Sequence, residues 1–297
     1  MKKSLAMMTA AMMVAGALAG CGSSGSTPAA TTAEATTAAA TEAATTEVAT
    51  TEAGDTAAAA EGTVKTPSGK FTVGFDQEFP PMGFVGDDGQ FTGFDLDLAK
   101  EVASRLGLEF VPQPINWDAK DMELDSGNID CIWNGFTMQG REDAYTWVGP
   151  YMANNQVFVV TADSDIASKA DLAGKAVEVQ KDSSGLAALQ GDAELSASFG
   201  SMTEVADYNT ALMDLESGAC DAVCMDSIVA GYQIKSSGKD MKILDDTLSA
   251  EEYGIGFKKG EDELAKAVYD TLMEMKDDGT VAKISNDWFG SDVFTLK

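Results

Sequence analysis

The chain has 297 residues, of which 48 are acidic, 20 are basic and none is histidine, so its formal net charge is −28. A surface this acidic repels nucleic acid and anionic lipid headgroups, and we exclude both as partners. The lack of histidine excludes Ser-His-Asp and Cys-His catalysis and every zinc site that needs imidazole. Composition therefore favours a binding protein over a hydrolase.

The first twenty residues predict a signal peptide. Lys2 and Lys3 precede a run of small and apolar residues, Leu5 to Ala19, that is too short and too weakly apolar for a membrane-spanning helix. The run ends in Leu18-Ala19-Gly20-Cys21, which resembles a bacterial lipobox. We expect cleavage before Cys21, lipidation of its thiol and anchoring on the extracellular face of the cell membrane. The alternative is an ordinary signal peptide with an incidental cysteine.

An Ala/Thr-rich stretch follows Cys21 and extends to about Gly62. It contains no lysine, arginine or aromatic residue, so it lacks the apolar surface that would offset the entropy of ordering. We predict that residues 21–62 form a disordered tether. The remaining length, about 235 residues, is sufficient for two lobes with separate cores.

Strand and helix patterns alternate along this remainder. Apolar runs predict strands at Phe71–Phe75, Glu109–Val111, Gln156–Thr161, Lys175–Val179, Ala222–Met225, Met241–Leu244 and Gly254–Phe257. Helical periodicity predicts helices at Asp95–Leu106, from Ser184 to Leu189, Ser227–Tyr232 and Glu261–Asp278. The alternation predicts an α/β fold of two doubly wound lobes with mainly parallel sheets.

A near-repeat supports the two lobes. Residues Met122 to Ile132 and Met213 to Val223 share the pattern Met-acid-Leu-acid-Ser-Gly-x-x-Asp-x-aliphatic, 91 residues apart. Each copy is typical of a helix that ends at a glycine cap and turns into a buried strand. Two copies of one unit indicate two lobes of similar design.

Polar side chains follow several predicted strands, where doubly wound sheets bind ligands. Arg141 would clamp a carboxylate, amides at a helix start near Ser184 would assist it, and Asp226 would accept an ammonium group. This set suits an amino-acid zwitterion. Alternatively, Arg141 forms a surface ion pair, Asp226 caps a helix, and Phe79 and Trp117 are core residues.

The chain resembles the amino-acid-binding family, family 3, of bacterial extracellular solute-binding proteins of ABC importers, in their lipoprotein form. The resemblance runs from about Gly69 to Phe294. Its motifs are Gly74-Phe75-Asp76, Phe79-Pro80-Pro81, Gly93 to Ala99, Asn134-Gly135-Phe136-Thr137 with Arg141, Gly149-Pro150-Tyr151 and Trp288-Phe289-Gly290.

The resemblance implies a role for each site residue. Arg141 binds the ligand carboxylate, helped by Thr137, the Gly135 backbone and the Ser183–Ser184 helix start, whereas Asp226 takes the α-ammonium group. Phe79 and Trp117 are expected to sandwich the ligand side chain, and Asp76 to meet its polar end. Asn134 and Gln180 are the remaining expected ligand contacts. Two departures blur the alignment: Thr137 and Arg141 are four apart where five is common, and the loop from Gln180 to Ser183 is one residue longer than usual.

The resemblance also implies hinge closure. The first lobe is expected at residues 63–158 plus 251–297 and the second lobe at 159–250, with a two-strand hinge near Val160 and Glu251. The closed monomer would deliver a polar L-amino acid, such as glutamine, cystine, arginine or histidine, to an ABC permease. We expect no catalytic residue, metal or cofactor. A ligand sensor, and an enzyme such as a dehydratase on the same fold, are the alternative functions.

The chain contains three cysteines besides Cys21. We expect Cys131, Cys220 and Cys224 to be buried free thiols, with a soft-metal site as the alternative.

Overall fold

Eight strands form one continuous sheet with two parallel ends and an antiparallel middle. The computed structural model describes Thr66 and residues 68–297, so the predicted signal peptide, Cys21 and the tether lie outside the described residues. The strands of this sheet are β1 (Lys70–Phe75), β5 (Glu109–Pro114), β6 (Cys131–Thr137), β7 (Tyr145–Thr161), β8 (Ala176–Gln180), β9 (Ser201–Val205), β10 (Ala222–Asp226) and β11 (Met241–Lys258). A small second sheet contains β2 (Glu78–Phe79), β3 (Gly83–Val85) and β4 (Phe91–Thr92).

Eight helices cover the faces of the sheet within the described part of the chain. They are α1 (Phe94–Leu106), α2 (Lys120–Ser126), α3 (Ser184–Gly191), α4 (Ala193–Ser198), α5 (Tyr208–Ser217), α6 (Ser227–Ser237), α7 (Asp262–Asp277) and α8 (Thr280–Phe289). Across residues 68–297, none of them combines the length and the apolar character that a membrane crossing requires.

The strand order is β5-β1-β6-β11-β7-β10-β8-β9. Strands β5, β1 and β6 are parallel to one another, and so are β10, β8 and β9, whereas the long strands β7 and β11 are antiparallel to each other and to their outer neighbours. Each lobe therefore has a parallel three-stranded half-sheet, and β7 and β11 join the two halves.

Strands β6 and β10 are buried on both faces, which is what a doubly wound sheet requires. Cys131 and Trp133 of β6 lie in one core cluster, whereas Ile132 and Phe136 lie in another on the opposite face. Successive strand residues point to opposite faces, so helices must cover both. This explains why β6 begins with three consecutive apolar residues, Cys131, Ile132 and Trp133, instead of alternating with polar ones.

The sequence repeat is the same αβ unit in both lobes. Helix α2 ends at Gly127 and α5 ends at Gly218, with φ of 76° and 78°, and each glycine is followed closely by a buried strand, β6 or β10. Only glycine adopts this left-handed conformation without a steric penalty. The prediction from the repeat is confirmed.

The sequence analysis underestimated the length of the two long strands, β7 and β11. The strands predicted at Met241–Leu244 and Gly254–Phe257 are the two ends of β11, and the strand predicted at Gln156–Thr161 is the last part of β7. The middle of β11 is largely polar and contains register shifts, which interrupt the apolar pattern without ending the hydrogen-bonded ladder.

The strand register bears on the predicted hinge. Glu251 of β11 lies opposite Asn154 of β7, whereas Val160 lies opposite Lys242 and packs in the core of the second lobe. A first crossing near Asn154 therefore matches the crossing near Glu251 better than one near Val160. The lobe boundaries themselves stay a prediction.

The three cysteines in the described residues are buried, and none of them forms a disulfide, which confirms the prediction of buried free thiols. Burial raises the pKa of Cys131, Cys220 and Cys224, so all three remain as unreactive thiols near neutral pH.

Candidate ligand-binding site

A cavity lies where the C-terminal ends of β6, β8 and β10 meet, between the two lobes. Its lining consists of nine of the eleven predicted site residues: Phe79, Trp117, Gly135, Thr137, Arg141, Gln180, Ser183, Ser184 and Asp226. The other two adjoin this lining: Gln180 Nε2 donates to Asp76 Oδ2 (2.7 Å), and the Asp76 N–H in turn donates to Asn134 Oδ1 (3.1 Å). The structure thus brings the whole predicted set together, and the ligand contacts of these residues stay predictions.

The cavity is small, with a volume of about 10 Å³. This is roughly the space that one water molecule needs. An amino acid could therefore enter only if the lobes move apart.

Arg141 forms the cationic end of the cavity. Its guanidinium donates to the Thr137 carbonyl (3.2 Å) and the Asp182 carbonyl (3.3 Å), and it lies 5.1 Å from the ring of Phe136. Arg141 belongs to none of the ion pairs among residues 68–297. In a protein with more than twice as many acidic as basic residues, this guanidinium is open to a carboxylate from outside the chain.

The start of α3 lies beside Arg141. Ser183 caps the helix by accepting from the Leu186 N–H (3.1 Å), whereas the Ser184 hydroxyl contacts Thr137 Oγ1 (3.2 Å) and Gln156 Nε2 (3.1 Å). The first amides of a helix have no partner within the helix, and the helix dipole favours an anion there. Arg141, Thr137 and this helix start together are the predicted anion subsite.

Gly135 must be a glycine because its φ is +58° and a β-carbon would lie 2.9 Å from Phe79. Its N–H donates to Asp95 Oδ2 (2.7 Å), which also accepts from Tyr151 (2.8 Å). Burial raises the pKa of Asp95 to about 7, although these hydrogen bonds lower it. The Gly135 N–H is therefore committed to Asp95, and only the carbonyl can contribute polar contacts to the cavity.

Two aromatic side chains form walls. Phe79 is 5.8 Å from the ring of Tyr208 on the second lobe, and Trp117 is 5.5 Å from Phe136. Aromatic pairs at these separations attract one another. Each of the two walls thus packs against a neighbouring ring.

Asp76 lies behind Gln180, outside the lining of the cavity. It is almost fully buried, and burial raises its pKa to about 6 although hydrogen bonds from the Glu78 N–H and from Gln180 lower it. Gln180 belongs to the second lobe, so this contact also joins the lobes. The side-chain oxygen of Asn134 accepts a hydrogen bond from the Asp76 N–H and so helps to position Asp76.

Asp226 forms the acidic end. It stands immediately before α6, yet its side chain makes no capping hydrogen bond, so the structure does not favour the alternative of a simple helix cap. Its carboxylate accepts from Asn154 Nδ2 (2.7 Å), Tyr253 (2.7 Å) and Tyr208 (3.1 Å). No cation is among these partners.

Sequence reasoning missed an ion pair across the cleft. Lys120 Nζ of the first lobe contacts Asp182 Oδ2 of the second lobe and lies 5.2 Å from the ring of Trp117. Lys120 is 2% exposed although it is charged. Asp182 lies in the loop that is one residue longer than usual, and it is the one non-glycine residue with positive φ (56°) in the described chain. The loop length was the only signal in the sequence.

The comparisons with known proteins agree with the fold and the family resemblance. The family model for bacterial extracellular solute-binding proteins, family 3, matches residues 71–291. Among solved structures, a substrate-binding protein of an ABC uptake transporter from Streptococcus pneumoniae, with bound histidine, is 34% identical at a TM-score of 0.75 and covers 77% of this chain and 96% of its own. The predicted type II periplasmic-binding fold is confirmed.

Curated relatives lead to the same family. The L-cystine-binding protein TcyJ of Escherichia coli is 32% identical over 231 residues, which is 76% of this chain and 84% of the relative. The L-cystine-binding protein TcyA of Bacillus subtilis is 32% identical over 76% of this chain and 83% of its own length. These relatives are binding proteins, which confirms the prediction that the chain is not an enzyme. The chain belongs to the bacterial extracellular solute-binding proteins, family 3.

Proposed function

We propose that this protein captures a polar L-amino acid by closure of its two lobes and delivers it to an ABC permease. One observation carries the proposal: Arg141, which has no carboxylate partner among the described residues, and Asp226, which has no cation among its hydrogen-bond partners, line the same cavity from opposite lobes. A zwitterion would supply the missing carboxylate to one and the missing ammonium group to the other. A ligand that touches both lobes favours the closed form by its differential affinity.

The relatives suggest which amino acids to test. They include proteins named for cystine, histidine and arginine, and an ancestral arginine-binding protein has been solved with glutamine bound. Asp76, which lies one hydrogen bond behind Gln180 of the lining, suits a ligand with a polar or cationic side chain. We therefore propose cystine, histidine, arginine and glutamine as the candidate ligands of this chain.

A thermal-denaturation screen of the purified chain tests the proposal. A ligand at 100 times its Kd stabilises the folded state by about 2.7 kcal/mol, which corresponds to a rise in Tm of roughly 5–10 °C for a domain of this size. We expect such a rise with at least one of the four candidates and none with their N-acetyl derivatives, which lack the ammonium group. If none of the twenty amino acids or cystine raises Tm, the proposal is wrong.

We also propose that the protein is a monomer anchored at the outer face of the cell membrane through lipidated Cys21. The lipobox-like sequence supports this proposal, and the acidic tether would keep the lobes clear of the membrane. Replacing Cys21 with serine should release most of the protein into the medium, because the chain would lose its diacylglycerol. Cell fractionation with immunoblotting measures the release. Retention of the Cys21→Ser protein in the membrane fraction, like that of a Ser23→Ala control, would contradict the anchor.

A further inference from the structure

The hinge strands place a second buried carboxyl group beside Asp226. Glu251 of β11 is 5% exposed and Asp226 is 3% exposed. Asn154 Nδ2 on β7 donates to both of them, to Asp226 Oδ1 and to Glu251 Oε1, at 2.7 Å each. Glu251 Oε1 also accepts from Gln156 Nε2 (3.0 Å), which in turn contacts Ser184 in the anion subsite.

The two carboxyl groups lie close together, because both accept from the same Asn154 amide group. Desolvation by burial is the main cause that raises the pKa of Asp226, and the charge of Glu251 raises it further. Two buried carboxylates that face one neutral amide cannot both be ionised at low cost.

The other groups that face the pair cannot neutralise it. Tyr208 of α5, Tyr253 of β11 and Cys224 of β10 are its titratable neighbours, and burial raises the pKa of each well above its ordinary value, so they stay neutral. The remaining polar neighbours on β7, α3 and α6, namely Asn154, Gln156, Ser184 and Ser227, carry no charge. Arg141 lines the same cavity, but its guanidinium is held by the Thr137 and Asp182 carbonyls.

We propose that Glu251 is a positioning residue of the ammonium subsite, that the Asp226–Glu251 pair holds one shared proton in the free protein, and that the α-ammonium group of the bound amino acid displaces this proton. The proposal rests on the proposed function. Its balance is simple: the proton leaves for solvent and the ammonium cation takes its place. The subsite therefore carries a net charge of −1 in both states, and it never buries two uncompensated negative charges.

A proton released on binding couples affinity to pH. At a pH where the free pair is protonated, each fall of one pH unit should weaken binding by up to about tenfold, because the ligand must remove the proton first. At a pH where the free pair is fully ionised, affinity should no longer depend on this group. The coupling appears as an affinity that rises with pH.

Calorimetry with L-arginine and L-glutamine as probes tests the proposal. Titrations at about pH 7 in phosphate and in Tris, which differ in ionisation enthalpy, should show release of about one proton per bound amino acid, and Kd should fall as the pH rises from about 5 to about 8. In Glu251→Gln, which keeps the shape of the side chain, release should fall by about half or more, and the pH dependence should move to lower pH. Glu252→Gln is the matched control, since Glu252 is the exposed neighbour on the same strand and should behave like the wild type.

Each outcome of these measurements either supports or overturns the proposal. Binding without proton release in the wild type, or unchanged release in Glu251→Gln, overturns the proposal while leaving amino-acid capture intact. If Glu251→Gln does not fold, the two-buffer comparison on the wild type still decides whether a proton is released. If the wild type binds neither probe nor any amino acid in the thermal screen, the proposed function fails, and this inference fails with it.

Discussion

Replacing Arg141 with alanine should weaken amino-acid binding by about 100- to 1,000-fold. The guanidinium would form paired, charge-assisted hydrogen bonds to the ligand carboxylate, each worth roughly 1.5–3 kcal/mol. Removing it also leaves that carboxylate desolvated in the closed cavity. Calorimetric measurement of Kd for the amino acid that gives the largest rise in Tm checks the prediction.

The only other arginine in the chain provides the matched control. Arg105 pairs with Glu101 and Asp278 within the first lobe and does not line the cavity, so Arg105→Ala should keep the wild-type Kd. Arg141→Lys should lie between the two, with a loss of about 10- to 100-fold, because lysine keeps the charge but not the planar fork. Equal affinity of Arg141→Ala and the wild type would remove the basis of the proposed anion subsite.

The sequence predicted best those parts of the fold that are buried on both faces. Strands such as β6 and β10 begin with consecutive apolar residues and end in polar ones, and the glycine caps at Gly127 and Gly218 mark the turns before them. The loops after these strands contain the candidate site. For that reason the site residues could be chosen before the lobes could be placed in space.

Short, exposed elements were missed because local pattern is weak there. Strand β9 is largely exposed, and α4 is six residues long. Helix α8 begins just after the end of the helix that was predicted at Glu261–Asp278. Neither β9 nor α4 contains a long apolar stripe that sequence periodicity could detect. Helix α8 does have one, at Val281, Ile284 and Trp288, and it was overlooked. Their positions follow from packing on the sheet.

The buried polar residues at the hinge were missed for a different reason. Asn154, Gln156 and Glu251 are polar, and nothing in the local sequence pattern indicates that their side chains are buried. They are buried because two distant strands lie side by side and the lobes close over them. Burial of this kind depends on non-local contacts, which a single sequence does not show.

Replacing Lys120 with methionine should weaken amino-acid binding by about 5- to 30-fold, although Lys120 does not line the cavity. Its buried ammonium group pairs across the cleft with Asp182, which is half exposed, and separation of the lobes would break this contact. Losing it should destabilise closure by about 1–2 kcal/mol, which raises the apparent Kd by the same free energy. Kd from calorimetry and the radius of gyration of the free protein from small-angle scattering measure both effects.

A second ion pair across the same cleft shows whether the effect on Kd comes from burial of the lysine or from charge pairing alone. Lys181 and Asp118 lie 2.7 Å apart but are 57% and 41% exposed, so solvent screens them and Lys181→Met should change Kd by less than about threefold. Asp182→Asn should be at least as harmful as Lys120→Met, because it leaves the buried ammonium group with only the Trp117 and Asp182 carbonyls. If Lys120→Met and Lys181→Met shift Kd equally, burial of Lys120 does not govern closure. The unequal result would instead assign the extra residue of the Gln180–Ser183 loop a physical role, which is to place Asp182 against a buried cation of the opposite lobe.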